Sequence, residues 1–243
     1  MTTQDAFWKL HENLPRQGPG SDETTRKLFD VANSSSKLHK AIDMGCGPGR
    51  STLQLASLGL VVTAIDTHQA FLDELYQNAK DKGLLDRIVI ENTSMQDPPY
   101  SDKSFDLIWA EGTAYIIDWK NALTNWKRLL QPGGKLVATD SFWLTKERSP
   151  EVAKFWEADP LMMTVPEAQQ IAEEAGYSVE YIYEQPDTDW FAEYYDPLTE
   201  KVKLFENNSD PATKETIDMT KLEIQIRKKF PSEYGHVGFV LTV

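Results

Sequence analysis

The stretch that decides the fold is Ala41-Ile42-Asp43-Met44-Gly45-Cys46-Gly47-Pro48-Gly49, an apolar run that ends in an acid and enters a glycine-rich turn. Gly45 and Gly47 allow the backbone to turn tightly and to approach a ligand closely. Residues 51–58 then predict a helix that starts directly after the turn. Strand, turn and helix together predict a nucleotide-like binding site.

The residues around this turn decide which ligand it suits. A dinucleotide fingerprint would need a third glycine at position 50, where Arg50 stands, and Asp43 would repel a pyrophosphate. An ammonium group suits Asp43 better. The run Val61 to Ile65 ends in a second acid, Asp66, about 20 residues beyond the turn, which is where a βαβ unit places its ribose-binding carboxylate.

Four segments in this order resemble the class I S-adenosylmethionine-dependent methyltransferases. Asp43 to Gly49 is similar to their first motif, and Asp66 is similar to the acid after their second strand. Residues 105–112 and 129–136 are similar to their fourth strand and to the turn into their fifth. The loop Arg16-Gln17-Gly18-Pro19-Gly20-Ser21 and the aromatic tail resemble a stand-alone prokaryotic small-molecule group near the quinone-biosynthesis C-methyltransferases.

This resemblance implies S-adenosylmethionine as the cofactor. It also implies how the ligand is divided among the residues: the glycine turn takes the methionine and ribose parts, Ser94 with Met95 meets the adenine, and Arg16 grips the methionine carboxylate. The cofactor contacts expected in this way are Arg16, Gly18, Asp43, Gly45, Cys46, Gly47, Asp66, Thr67, Ser94, Met95 and Glu111.

Strand and helix patterns alternate along the chain and predict an α/β fold. Strands are expected at 40–44, 61–65, 87–91, 105–110, 134–140, 177–184 and 237–243, with helices at about 22–33, 51–58, 68–82, 119–130 and 166–176. Such alternation predicts a Rossmann-like, doubly wound, seven-stranded sheet that is mostly parallel, with an antiparallel last strand.

We predict a single domain over residues 1–243 with two helical additions. Residues 1–36 form an N-terminal helical cap, and residues 188–232 form a helical insertion before the last strand. Trp190, Phe191, Tyr194 and Tyr195 lie in this insertion, which is expected to close over the acceptor as a lid. A packed helical hairpin without a role in substrate binding is the alternative. Most aromatic residues near the expected mouth should be ordinary packing and a minority an acceptor box; they are Tyr115, Trp119, Phe142, Trp143, Trp156 and the four just named.

Composition limits the partners. The 243 residues carry 25 Lys and Arg against 38 Asp and Glu, a formal charge of −13 that would repel nucleic acid and anionic membranes. A small-molecule acceptor is therefore expected. With the single cysteine Cys46 and no apolar N-terminal run, the sequence favours a cytoplasmic protein. The oligomeric state is left open, with a homodimer as one alternative.

Methyl transfer from a sulfonium is an in-line displacement that needs positioning more than acid or base chemistry. If the acceptor carries a proton, Glu111, Tyr115 or His11 could remove it, although a solvated surface histidine is an alternative for His11. No metal is expected, because the histidines lack ligand spacing. A noncatalytic cofactor-binding or regulatory protein is the main alternative function, while Arg50 and Asp43 disfavour a nicotinamide oxidoreductase.

Asp97-Pro98-Pro99-Tyr100 matches the catalytic motif of amino-methyltransferases that act on adenine in DNA. In those enzymes the motif follows the fourth strand, whereas here it precedes that strand. The acidic charge of the chain also opposes DNA. We therefore interpret this segment as a turn.

Overall fold

One seven-stranded sheet organises the part of the chain that the computed structural model describes, residues 2–34, 37–158 and 162–243. Its strands are β1 (Lys40–Met44), β2 (Val61–Asp66), β3 (Ile88–Asn92), β4 (Phe105–Glu111), β5 (Leu130–Trp143), β6 (Ser178–Glu184) and β7 (Tyr234–Thr242). The helices over the same residues are α1 (Thr3–His11), α2 (Asp22–Ala32), α3 (Arg50–Ser57), α4 (Gln69–Asp81), α5 (Trp119–Lys127), α6 (Pro150–Phe155), α7 (Val165–Glu174), α8 (Asp187–Trp190), α9 (Asp196–Phe205) and α10 (Pro211–Lys229).

The strand order is β3-β2-β1-β4-β5-β7-β6. Pairs among β1 to β5 are parallel, and β7 runs antiparallel to both β5 and β6. The doubly wound, mostly parallel sheet with an antiparallel last strand is thus confirmed. The order reverses between β1 and β4, and the carboxyl ends of strands beside such a point form the crevice where α/β sheets bind ligands.

Both faces of the sheet are covered by helices, and successive side chains of its central strands point alternately into one apolar core and the other. In β4, Ile108 and Ala110 join the core against α5 and α7, while Leu107 and Trp109 join the core against α2, α3 and α4. A third apolar cluster lies at the paired ends of β5 and β7, which contribute Trp143 and Tyr234 to it. It joins α1 to the inserted helices through buried residues such as Leu10, Leu198 and Ile217.

Local signals set several helix starts where the sequence predicts them. The Ser21 hydroxyl accepts a hydrogen bond from the Thr24 backbone N–H at 3.1 Å and caps α2. Thr164 and Glu167 form a reciprocal capping box at the start of α7, with Pro166 in its first turn.

The observed elements differ from the predicted ones mainly in the length of one strand and in one additional helix. Strand β5 runs to Trp143 because β7 pairs with it from Lys135 to that residue. The short helix α6 was not predicted. The predicted cap ends at residue 36, which, like Met1, lies outside the described residues. No described helix combines the length and the apolar character that a membrane crossing needs.

Gly49 generates a prediction about stability. It begins α3 with φ +84°, and a Cβ there would lie 2.2 Å from Leu75 Cδ1 of α4. Gly49→Ala should lower the free energy of unfolding by about 3 kcal/mol, because left-handed strain and a clash in the core add together. Urea denaturation measures this loss.

Gly83→Ala is the matched control, since Gly83 has φ +64° and open space around its Cα. That change should cost only the backbone strain, about 1 to 2 kcal/mol. In a Leu75→Ala background the cost of Gly49→Ala should fall towards the control value. Equal costs at both glycines in the native background would show that the contact with α4 does not constrain the turn.

Candidate active site

A cavity of about 460 Å³ opens at the carboxyl ends of β1, β2 and β4, beside the point where the strand order reverses. Helix α1, the loop 16–19 and the 3-10 turn Ala114–Ile117 close its other sides. Every residue that the sequence analysis assigns to the cofactor lines this cavity: Arg16, Gly18, Asp43, Gly45, Cys46, Gly47, Asp66, Thr67, Ser94, Met95 and Glu111.

The glycine turn is tied to the neighbouring strand by its own backbone. The N–H groups of Gly45 and Cys46 both donate to the Ile65 carbonyl at 2.9 Å. Gly45 has φ +71°, and a Cβ there would lie 2.9 Å from the Thr113 methyl group, so a larger residue would be strained and crowded. The turn thus presents bare backbone to the cavity.

Asp43, one residue before the end of β1, is a buried carboxylate with 2% of its surface exposed. Its Oδ2 accepts a hydrogen bond from the Thr52 hydroxyl at 2.6 Å. Burial raises its pKa to about 7; the neighbouring carboxylates Glu111 and Asp66 add to the shift, and the Thr52 hydrogen bond opposes it. A cation placed beside Asp43 would therefore gain a strong, poorly solvated partner.

Asp66 ends β2 and is held by backbone donors. Its Oδ2 accepts from the Gly47 N–H at 2.9 Å and its Oδ1 accepts from the His68 N–H at 2.8 Å. Each carboxylate oxygen has a second acceptor position. The carboxylate is therefore oriented by the turn and by the start of α4 while keeping capacity for a pair of hydroxyl donors.

Arg16 is buried, with 5% of its side chain exposed, and its guanidinium contacts three carboxylates. Nη1 donates to Glu111 at 2.9 Å, Nη2 donates to Asp22 at 2.9 Å, and Nε donates to Glu193 at 3.0 Å. Arg50 also binds Asp22 through both carboxylate oxygens, at 2.8 and 2.9 Å. The loop that carries Arg16 is thereby fixed to β4, to α2 and to the insertion.

Glu111 accepts three hydrogen bonds. Its Oε1 accepts from the Thr25 hydroxyl at 2.8 Å, and its Oε2 accepts from Arg16 and from the Ser51 hydroxyl. One of these donors is the charged guanidinium of Arg16, which makes that bond a strong one. The arrangement suits an electrostatic anchor for the Arg16 loop.

Ser94 and Met95 line the cavity from the segment that follows β3. The Met95 carbonyl accepts from Trp126 Nε1 at 2.7 Å, which anchors this segment to α5. Three aromatic residues also line the cavity: Trp8 of α1 stacks on His68 at 5.0 Å between ring centroids, and His68 contacts Phe71 edge-on at 4.5 Å. The lining therefore includes flat aromatic surfaces, as a planar heterocycle would need.

The three predicted catalytic residues are not brought together. Glu111 and Tyr115 line the cavity, but His11 does not. His11 is 1% exposed, so its alternative as a solvated surface residue is wrong. Its Nδ1 donates to the Phe7 carbonyl at 2.8 Å, which leaves Nε2 as the acceptor for the Tyr194 hydroxyl at 3.3 Å. Burial lowers its pKa to about 4, partly offset by the bond to Phe7.

The insertion contributes packing rather than cavity lining. Trp190, Tyr194 and Tyr195 belong to the third apolar cluster, and Phe191 packs against it. Trp119, Phe142, Trp143 and Trp156 are likewise absent from the lining, so Tyr115 is the member of the predicted aromatic box that reaches the cavity. The expectation that the four insertion aromatics face the acceptor is therefore not met in this structure, because the greater apolar contact lies against α1 and α10.

Sequence reasoning missed the part of the lining that comes from outside the strand ends. These residues are Gln4, Phe7, Trp8, Gln17, Thr113, Ile116 and Ile117. A usable signal was the alternation of buried Ala6 and Leu10 with Phe7 and Trp8 in α1, which leaves an aromatic pair off the helix's core face. Among the described residues there is no group of three or more His, Cys, Asp or Glu side chains placed to hold a metal ion.

Comparison with known proteins agrees with this geometry. The family model for a methyltransferase domain matches residues 42–138. The O-methyltransferase resE of Aspergillus sclerotiorum is 31% identical over 181 residues, which are 71% of this chain and 67% of that protein. The methyltransferase GfsG of Streptomyces halstedii is 28% identical over 136 residues, 55% of this chain, and the match spans about half (49%) of its length.

A solved structure supports the fold over nearly the whole chain. YjhP from E. coli superposes with a TM-score of 0.81 at 18% identity and covers 97% of this chain and 98% of that one. At this identity the likeness concerns the fold alone. Together with the glycine turn and the two strand-end acids, the matches to the methyltransferase domain and to resE place this chain in the class I S-adenosylmethionine-dependent methyltransferases.

Proposed function

We propose that this chain transfers a methyl group from S-adenosylmethionine to a small-molecule acceptor. The observation that carries the proposal is the pair of strand-end carboxylates, Asp43 and Asp66, on either side of a bare glycine turn in one cavity. No cation from the described part of the chain is paired with Asp43, so this buried acid fits an ammonium group. Asp66 is an oriented acid with spare acceptor positions and fits vicinal hydroxyls.

The other residues assigned to the cofactor follow from this orientation. Asp43 holds the amine, and the Arg16 and Gly18 loop holds the carboxylate through the guanidinium N–H positions that its three acids leave open. Cys46, Gly47 and Asp66 hold the ribose. Thr67, Ser94 and Met95, which also line the cavity, border the adenine.

When bound, the cofactor supplies a methyl group on a sulfonium, which is already activated for displacement. The chain then has to orient the acceptor in line and exclude water. Glu111 anchors Arg16 and adds negative charge beside Asp43. Tyr115 lines the cavity, and we assign its hydroxyl to bind the proton-bearing group of the acceptor. His11 does not line the cavity and stacks against Phe7, which does.

A noncatalytic cofactor-binding or regulatory protein is the alternative function. Incubation with methyl-labelled S-adenosylmethionine and a panel of hydroxyl, amine and thiol compounds separates the two. Label in any acceptor supports the enzyme. Binding of S-adenosylhomocysteine with no transfer to any member of a broad panel would favour the regulatory protein. The placement beside the quinone-biosynthesis C-methyltransferases and a homodimeric state stay predictions, which product analysis and light scattering test.

Asp66 is the most direct test of the cofactor half. Asp66→Ala should weaken binding of S-adenosylhomocysteine by about 1 to 3 kcal/mol, because hydroxyls lose a charged partner. Isothermal titration calorimetry measures the change, and circular dichroism confirms folding. Asp73→Ala, in α4 on an exposed residue bonded to Gln69, is the control and should leave affinity unchanged. Unchanged affinity in folded Asp66→Ala would refute the ribose assignment.

Asp43 predicts a pH dependence of binding. Its pKa near 7 means that the empty site carries a protonated carboxyl in acid, and an ammonium ligand binds only after that proton is lost. The affinity for S-adenosylhomocysteine should therefore weaken as pH falls from about 8 to 6, approaching tenfold per pH unit at the acid end. Calorimetry in buffers of different ionisation enthalpy measures both the affinity and the released proton.

Asp43→Asn should remove this pH dependence and weaken binding at about pH 8. The pKa of Asp43 in the folded protein is higher than the ordinary value for an aspartic acid. The free energy of unfolding of the ligand-free protein therefore falls as pH rises from the ordinary pKa to the raised one. The asparagine variant should consequently melt at a higher temperature than the native chain at about pH 8. A pH profile that persists in Asp43→Asn would assign the titration to another group.

A further inference from the structure

Three large apolar side chains stand open to solvent at the cavity mouth. Phe7 of α1 is 40% exposed, and Tyr115 and Ile116 of the 3-10 turn are 54% and 58% exposed. All three line the cavity. Large apolar side chains at the rim of a concave site favour ligand binding, because a bound molecule removes their apolar surface from water.

The charges deeper in the cavity point to the kind of molecule that covers it. Asp43, Asp66 and Glu111 line the interior. The arginines of the described lining, Arg16 and Arg50, are both engaged by carboxylates at 2.8 to 3.2 Å. Asp22, Glu111 and Glu193 already balance the charges of these two arginines, and the open N–H positions of Arg16 are assigned to the cofactor's carboxylate. An anionic acceptor would thus meet the negative charge of Asp43 and Asp66 without a cation left to compensate it.

We propose that the acceptor is an apolar molecule without negative charge that contacts Phe7 of α1 and Ile116 of the 114–117 turn. The acids around the cofactor disfavour acceptors that carry a phosphate or a carboxylate. The inference rests on the proposed function, because this mouth receives an acceptor only if the strand-end half of the cavity holds the cofactor. Phe7 and Ile116 then determine specificity by shape and apolar contact.

Three probes that share one ring system and differ in charge test the proposal. They are 2-naphthol, which is neutral near neutral pH, 2-naphthylmethylamine, which is cationic, and 2-naphthoate, which is anionic. Each is titrated by calorimetry into the full chain saturated with S-adenosylhomocysteine. The neutral and cationic probes should bind, and 2-naphthoate should bind at least about tenfold more weakly than 2-naphthol, because its charge faces the carboxylates.

Variants locate the binding at the mouth. Ile116→Ala and Phe7→Leu should each weaken 2-naphthol binding by about three- to tenfold, because apolar area covered by the probe is removed. Affinity for S-adenosylhomocysteine should change by less than about twofold. Phe7→Leu is chosen over alanine because Phe7 stacks on His11 at 3.9 Å and helps to hold α1. Val89→Ala, at a 46% exposed position of β3 outside the cavity lining, is the control.

A charge-gain variant tests the exclusion of anions separately. Ile116→Lys places an ammonium group at the mouth, so it should raise the affinity for 2-naphthoate by about fivefold or more and lower that for 2-naphthylmethylamine. Raised salt should reduce both effects.

The outcomes distinguish a failure of the proposed function from a failure of the proposed acceptor class. If S-adenosylhomocysteine does not bind the native chain, the proposed function fails. If it binds but 2-naphthoate binds as tightly as 2-naphthol, the charge argument is wrong. If the naphthyl probes bind and neither Ile116→Ala nor Phe7→Leu weakens them relative to Val89→Ala, the acceptor site lies elsewhere.

Discussion

An excess of carboxylates at one end of the sheet is the constraint on which the rest of the site depends. Parallel strands bring their terminal residues to one edge, and here three neighbouring strands carry acids at or one residue before their ends: Asp43, Asp66 and Glu111. Two further acids, Asp22 of α2 and Glu193 of the insertion, join Glu111 in binding the guanidinium groups of Arg16 and Arg50. Burial is the main cause of the raised pKa of Asp43, and the like charges of Glu111 and Asp66 add to it.

Burial of Arg16 follows from this excess. A guanidinium removed from water is stable only if it is paired, and three carboxylates from separate parts of the chain supply the pairing. The same contacts hold the loop that joins α1 to α2 against the end of β4. Helix α1 is therefore placed over the cavity by electrostatics at one end and by apolar packing against α9 and α10 along its length.

The insertion acts on the site mainly through α1. Its Glu193 joins the charged cluster, and its Asp189 carbonyl accepts from the Gly20 N–H at 3.0 Å. Its aromatic residues bury their rings against one another and against α1, as Tyr194 does beside His11. Shape at the cavity mouth thus depends on an element that does not line it, because the inserted helices fix where Phe7 and Trp8 stand.

Sequence by itself determined the sheet class, the glycine turn and the strand-end acids. Each is written in a short stretch: an apolar run, a turn that only glycine adopts easily, and a carboxylate at a fixed distance along a βαβ unit. The same local logic predicted the starts of α2 and α7 to within one residue. Element ends were less certain, and β5 was predicted short because its last residues are strand only through pairing with β7.

Only the tertiary structure decided the partners of Arg16, the burial of His11 and the residues at the cavity mouth. Arg16 and Glu193 are 177 positions apart, and His11 and Tyr194 are 183 apart, so no local pattern could pair them. Which aromatic residues pack and which line a cavity was likewise decided by competition for apolar contact across the whole fold. The periodicity of apolar residues predicts that an aromatic side chain is packed against other apolar residues. Which residues these are is determined only when the helices assemble.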